Sequence, residues 1–250
     1  MRTTLEICID TIAGCDAAIA GGADRIELCG ALSVGGLTPS PGLVALVVPR
    51  AQAAGLKVHA MVRPRAGDFA YDAGELDTAI ADARALIAAG VDGLVFGAVR
   101  DGALDLDVLS AWTATLPTSV DRTLHRAVDL LPDPVAAIDP AVALGFARIL
   151  TSGGAVKAAD GADVIRAMVR HAAGRIAILP GSGVRPTNAA AILTATGAGE
   201  IHASAGAPIA ERDARVRDLG FAGAGLARTD PATVRALRTA IDLYDTGEAA

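Results

Sequence analysis

The sequence predicts a single-domain (β/α)₈ barrel, and three observations carry that expectation. Eight short apolar runs recur along the chain, separated by Ala-rich stretches of helical character that mostly end in Gly just before the next run. Its 250 residues match the ~250 typical of one such barrel. Two of its three cysteines and three of its four histidines sit in the runs, mostly towards their C-terminal ends, with Glu27 beside them. That is the rim on which barrels of this kind build their sites.

The runs are Leu5–Asp10, Arg25–Cys29, Lys57–Arg63, Gly93–Gly97, Arg122–Arg126, Arg148–Thr151, Arg175–Leu179 and Glu200–Ala203. The first alternates strictly. With Leu5, Ile7 and Ile9 towards the outer helices, Glu6, Cys8 and Asp10 point inward. The same parity sends Glu27 and Cys29 inward from the second run, and His59, Met61 and Arg63 from the third. Ser40-Pro41 supplies an N-cap and a first-turn proline for a helix running towards Gly55, which Pro49 should kink or split. Further helices are expected over Asp72–Ala89, Asp105–Leu116, Asp133–Leu144, Asp160–Ala172, Pro186–Thr196 and Asp230–Tyr244. Residues 207–228 have mixed charge and no clear period, which suggests a rim loop. Residues 247–250 should fray.

Composition narrows the class. A net charge of −6 leaves no broad basic footprint for nucleic acid. No apolar run reaches the roughly 18 residues a membrane span needs. Three cysteines are too few, and odd in number, for a disulfide framework, so a reducing cytoplasm is expected.

Four groups of residues carry candidate chemistry. Cys8 and Cys29, on neighbouring strands, with Met61 on the next, offer soft sulfur donors suited to Cu(I), or else fill space as small hydrophobes. Glu27, His125 and Asp129 share the rim and could move protons, with His59 and His202 on other strand ends. Arg63 and Arg126 suit a carboxylate or phosphate, unless they are spent on intramolecular salt bridges. Gly181 and Gly183 after strand seven, Ser204 after strand eight, and Thr151 and Ser152 after strand six occupy the usual phosphate loops of this fold. Neither of the two lysines is placed for a Schiff base. Cys15, in the first helix, reads as packing.

The strings Leu5-Glu6-Ile7-Cys8-Ile9-Asp10, Gly22-Ala23-Asp24-Arg25-Ile26-Glu27-Leu28-Cys29 and Gly35-Gly36-Leu37-Thr38-Pro39-Ser40 resemble the CutC copper-homeostasis family. So do Val62-Arg63-Pro64-Arg65, His125-Arg126-Ala127 with Asp129, Ile149-Leu150-Thr151-Ser152-Gly153 and His202-Ala203-Ser204-Ala205. The resemblance runs in order from about residue 5 to 240. It implies a cytosolic barrel that binds Cu(I) through Cys8 and Cys29 and assembles as a homo-oligomer. Ser182, Gly154, Ala66 and Val128 depart from the family's usual residues, all on rim loops. Two functions stay in view. One is copper handling through Cys8 and Cys29, with Met61 as third donor. The other is an isomerase, lyase or hydrolase acting on a small anionic or phosphorylated metabolite at the rim, with Glu27, His125 and Asp129 as its proton carriers. A purely structural or partner-binding role comes third, with nothing but the Ala-rich helices in its favour.

Overall fold

The computed structural model describes residues 2–209, 213, 215–219 and 227–248. Eight strands lie in one parallel sheet in the order β8-β1-β2-β3-β4-β5-β6-β7. They are β1 Thr4–Ile9, β2 Arg25–Leu28, β3 Lys57–Met61, β4 Gly93–Phe96, β5 Asp121–Leu124, β6 Arg148–Thr151, β7 Ala177–Pro180 and β8 Glu200–Ala203. Each starts within two residues of the expected run. The sheet curls into a nearly closed barrel: every neighbouring pair shares ladder hydrogen bonds except β7 and β8.

Among the described residues eight helices wrap the sheet, besides a single helical turn at Arg215–Asp218: α1 Ile12–Gly21, α2 Pro41–Ala53, α3 Ala73–Ala88, α4 Leu106–Thr113, α5 Ile138–Ala143, α6 Ala162–Ala172, α7 Ala189–Thr196 and α8 Pro231–Thr246. Their starts are set locally. Thr11, Ser40, Asp72, Asp105 and Asp230 each accept a first-turn N–H, and Asp72 with Glu75 closes a capping box. Pro49 does not split α2. It sits on the exposed face, where water can satisfy the Ala45 carbonyl that its missing N–H leaves free. The helix expected over Asp133–Leu144 divides into a 3₁₀ turn, Pro134–Ala137, and the short α5. Among the described residues no helix is long and apolar enough to cross a membrane.

The excursion expected at 207–228 opens and closes as a two-stranded antiparallel ribbon, Gly206–Pro208 with Ala227–Thr229. Between them, residues 210–212, 214 and 220–226 lie outside the described residues, as do 249 and 250 of the tail. Gly247 caps α8 through N–H bonds to Leu243 and Tyr244.

Two interiors result from the alternation. Outward-pointing Leu5, Ile7, Ile9, Ile26, Leu28 and Ile149 pack against the helices in one continuous aliphatic core. Cys15 is fully buried in it, and burial raises its thiol pKa to about 11. Inside the barrel the lower half is ionic instead of aliphatic. Arg25 on β2 pairs with Glu6 on β1 and, at 2.6 Å, with Glu200 on β8. Arg148 on β6 reaches Glu200 at 3.3 Å and Asp121 at 3.2 Å. Glu6, Arg25 and Arg148 are buried and paired, as low dielectric requires, while Glu200 is partly buried and Asp121 reaches solvent.

Candidate functional site

Register brings the reactive groups together. In parallel strands, residues of like parity on neighbouring strands point to the same side. Glu6 aligns with His202, and Cys8 with Glu27. His202 donates from Nδ1 to Glu6 Oε1 at 2.7 Å, while its Nε2 lies 3.9 Å from Glu27 Oε2. The Cys29 thiol donates to Glu27 Oε2 at 3.5 Å. Donor atoms of Cys8, Glu27 and His202 all fall within 4.8 Å of one another, and all three residues are buried.

The electrostatics of this cluster follow from burial working against close neighbours. Burial opposes charge on His202, but Cys8, Glu27 and Glu6 outweigh it and raise the imidazole well above its ordinary 6.5. Burial would also raise Glu6, yet Arg25 and His202 hold it well below the usual carboxylate value. Glu27 moves the other way: burial and the Glu6 charge push it up. Burial and Glu27 together push the Cys29 thiol well above 9. The cluster therefore pairs a fixed carboxylate and an imidazole that favours its proton with groups reluctant to ionise.

Above the cluster opens a cavity of about 370 Å³ at the C-terminal ends of the strands. Of the residues expected at the site, Cys8, Glu27, Met61, Arg63, His125, Arg126, Gly183, His202 and Ser204 line it. Phe69, Leu150 and Arg185 line it too, and sequence reasoning missed them. A signal for the missed Arg185 existed in the loop after β7, two residues beyond Gly183. Two glycines make room for the imidazoles. A Cβ at Gly97 would lie 2.5 Å from His125 Nδ1, and one at Gly181 would lie 3.3 Å from His202 Cδ2 and 2.6 Å from Leu150 Cδ1. Ser182 takes a left-handed φ of +77°, a region that favours glycine. Its hydroxyl donates to Val156 O at 2.7 Å and ties the loop down.

Other expected site residues are placed elsewhere. Cys29 does not line the cavity; with Met61 and Val95 it forms a small apolar cluster beside it. Asp129 is saturated. Its carboxylate accepts from Thr151 Oγ1 at 2.5 Å, Ser152 N at 3.0 Å, Ser152 Oγ at 2.8 Å, Gly154 N at 3.1 Å and Arg126 Nε at 2.8 Å. Expected as a proton carrier, Asp129 instead has its lone pairs engaged by these donors and does not line the cavity. It is a clasp between the loops after β5 and β6. Thr151 and Ser152, expected as substrate ligands, are fully buried in that clasp and do not line the cavity. Arg126 is spent partly on it, and Gly181 provides space for His202 without lining the cavity. His59 lies low in the barrel near Arg148, and burial lowers its pKa to about 3.

The CutC family profile matches residues 3–207 of this chain. This chain belongs to the CutC family. A family protein CutC of Agrobacterium fabrum is 48% identical over 247 residues, spanning 98% of this chain and 96% of that one. Another, from Caulobacter vibrioides, is 47% identical over 236 residues, covering 93% and 94%. Among solved structures, a CutC protein of Streptococcus agalactiae, whose description names copper homeostasis, superposes with a TM-score of 0.77 at 30% identity. It covers 81% of this chain and 98% of its own. The thiamine phosphate pyrophosphorylase of Pyrococcus furiosus, 14% identical with a TM-score of 0.62 over 97% of this chain and 96% of its own, shares the barrel fold with this CutC-family chain.

Proposed function

We propose that the protein handles copper in the cytoplasm, binding Cu(I) at the floor of the rim cavity with Cys8 as the anchoring ligand. The observation that carries this reading is the convergence of Cys8, Glu27 and His202 within 4.8 Å. A thiolate beside an imidazole suits Cu(I), which accepts few ligands. Cys29 supplies the second sulfur when the ion displaces the proton that its thiol shares with Glu27. Met61, beside Cys29, is the third donor on offer. Because thiol and imidazole protons must leave, affinity for Cu(I) rises with pH.

The test is a Cu(I) titration of reduced protein against a chromophoric competitor. Cys8→Ser and Cys29→Ser should each weaken binding by about 10-fold or more, on the order of one lost ligand or its partner. Unchanged affinity in the double variant removes the proposal.

A second reading is favoured by the size of the cavity, which is far larger than one ion. On this reading the pocket takes a small anionic metabolite as an enzyme would, with Glu27 and His125 facing the reacting atoms and Arg63, Arg126 and Arg185 lending positive charge. Gly183 and Ser204 border the same opening, where their loops could meet a phosphate or similar group.

A further inference from the structure

Among the described residues, Arg63 carries a charge with no counter-ion in reach. It is buried at 6% exposure, and its nitrogens meet only carbonyls. Nη1 donates to Val34 O at 2.9 Å and Gly36 O at 3.1 Å, and Nη2 to Gly67 O at 2.8 Å. Its Nε–H is buried with no partner, and among the described residues no carboxylate pairs with it. One other buried arginine, Arg122, is also held by carbonyls and has a free Nε, but those carbonyls include Leu144, Leu116 and Pro117. These residues close α5 and follow α4, where helix ends supply partial negative charge. Around Arg63 only a three-residue 3₁₀ turn, Leu32–Val34, comes to an end, no α-helix does, and Arg63 lines a cavity.

His125 stands beside it on the same wall. Phe69 bridges the two, with its ring 4.8 Å below the Arg63 guanidinium and 4.8 Å from the His125 ring. The Ala127 N–H donates to His125 Nδ1 at 3.2 Å. Nδ1 is thus an acceptor, and the ring proton belongs on Nε2. That Nε2 is also buried and unpartnered. Burial and the Arg63 charge lower the His125 pKa to about 3, in keeping with a neutral ring.

We infer that the cavity binds a small organic carboxylate, seated on the Nε–H of Arg63 and the Nε2–H of His125. Two unpaired N–H donors and one uncompensated positive charge match two oxygens sharing one negative charge. A phosphate dianion would ask for more donors and more charge than this wall offers. The inference deepens the second reading above and does not depend on copper.

Calorimetric titration of metal-free protein with sodium pyruvate and L-malate near neutral pH tests it, with methyl pyruvate and inorganic phosphate as the other arms. Pyruvate or malate should bind saturably, and methyl pyruvate should not. Arg63→Lys keeps the charge but loses the Nε–H, and His125→Phe removes the other donor. Each should weaken carboxylate binding by roughly 10-fold or more, the usual cost of one charged hydrogen bond. Equal binding of the methyl ester, or carboxylate binding that survives both substitutions, overturns the inference. Binding of phosphate alone also overturns it while leaving the broader anion reading standing, and no binding of any anion removes both.

Discussion

At the scale of single residues, the environment of each imidazole decides what it can do. His125 is kept neutral by its surroundings, whereas His202 is held towards the charged form by three partners. The neutral ring has a consequence for acid stability. In the unfolded chain position 125 takes up a proton near its ordinary value of 6.5; in the folded protein it does so only near 3. Between those limits the unfolded state binds more protons, so stability falls on acidification, by up to ~1.4 kcal/mol per pH unit from this residue. Above about 6.5 its contribution is complete. Urea denaturation at stepped pH should show a shallower acid slope in His125→Phe than in the parent, and identical slopes would refute a neutral buried ring. What sequence could not reveal at this scale was saturation. Asp129 looks like a free acid in a rim loop, but two of its five donors are the backbone N–H groups of Ser152 and Gly154. Nothing in residue identity announces those.

At the scale of elements, the strands were legible because alternation shows directly. Leu5, Ile7 and Ile9 face the helices while Glu6 and Cys8 face inward, as their parity requires. Helix ends were legible wherever a capping side chain preceded the first turn. The division of the fifth helix was not, because Asp133-Pro134 and Asp139-Pro140 place two restarts within one apolar stretch. Packing between elements was equally hidden. Gly21 closes α1 against α8, where an added Cβ would overlap the Val234 side chain. Gly21→Ala should therefore cost ~1–3 kcal/mol of stability by overpacking, and the loss should be smaller in a Val234→Gly background, which lacks the Cβ that the added methyl would meet at 2.3 Å. Thermal denaturation of the single and double variants checks this; additive losses would argue against the clash.

Over the whole molecule, the barrel is tied from within by charge. Arg25 joins β2 to β1 and β8, and Arg148 joins β6 to β8 and β5. Composition shows that these residues exist, but only the register shows that they meet. Arg25→Met should destabilise the fold by ~3–5 kcal/mol, since Glu6 and Glu200 would lose a buried counter-charge. Chemical denaturation measures it, and a loss below about 1 kcal/mol would place the network nearer the surface value. The family and the barrel were readable from ordered motifs spread along the chain. The cavity was readable only in part, because its walls come from loops whose approach depends on the closed sheet.

One gap in that wall has a further consequence. The seventh and eighth staves touch without being laced together by amide bonds, and their upper ends carry Gly183 and His202, both on the mouth of the cavity. Arg148 spans the opening lower down, by gripping Glu200 from the far side of the seventh stave. The cylinder is therefore pinned at its foot and unstitched along one side. Parting those two staves would rupture no ladder, and they flank the mouth of the cavity.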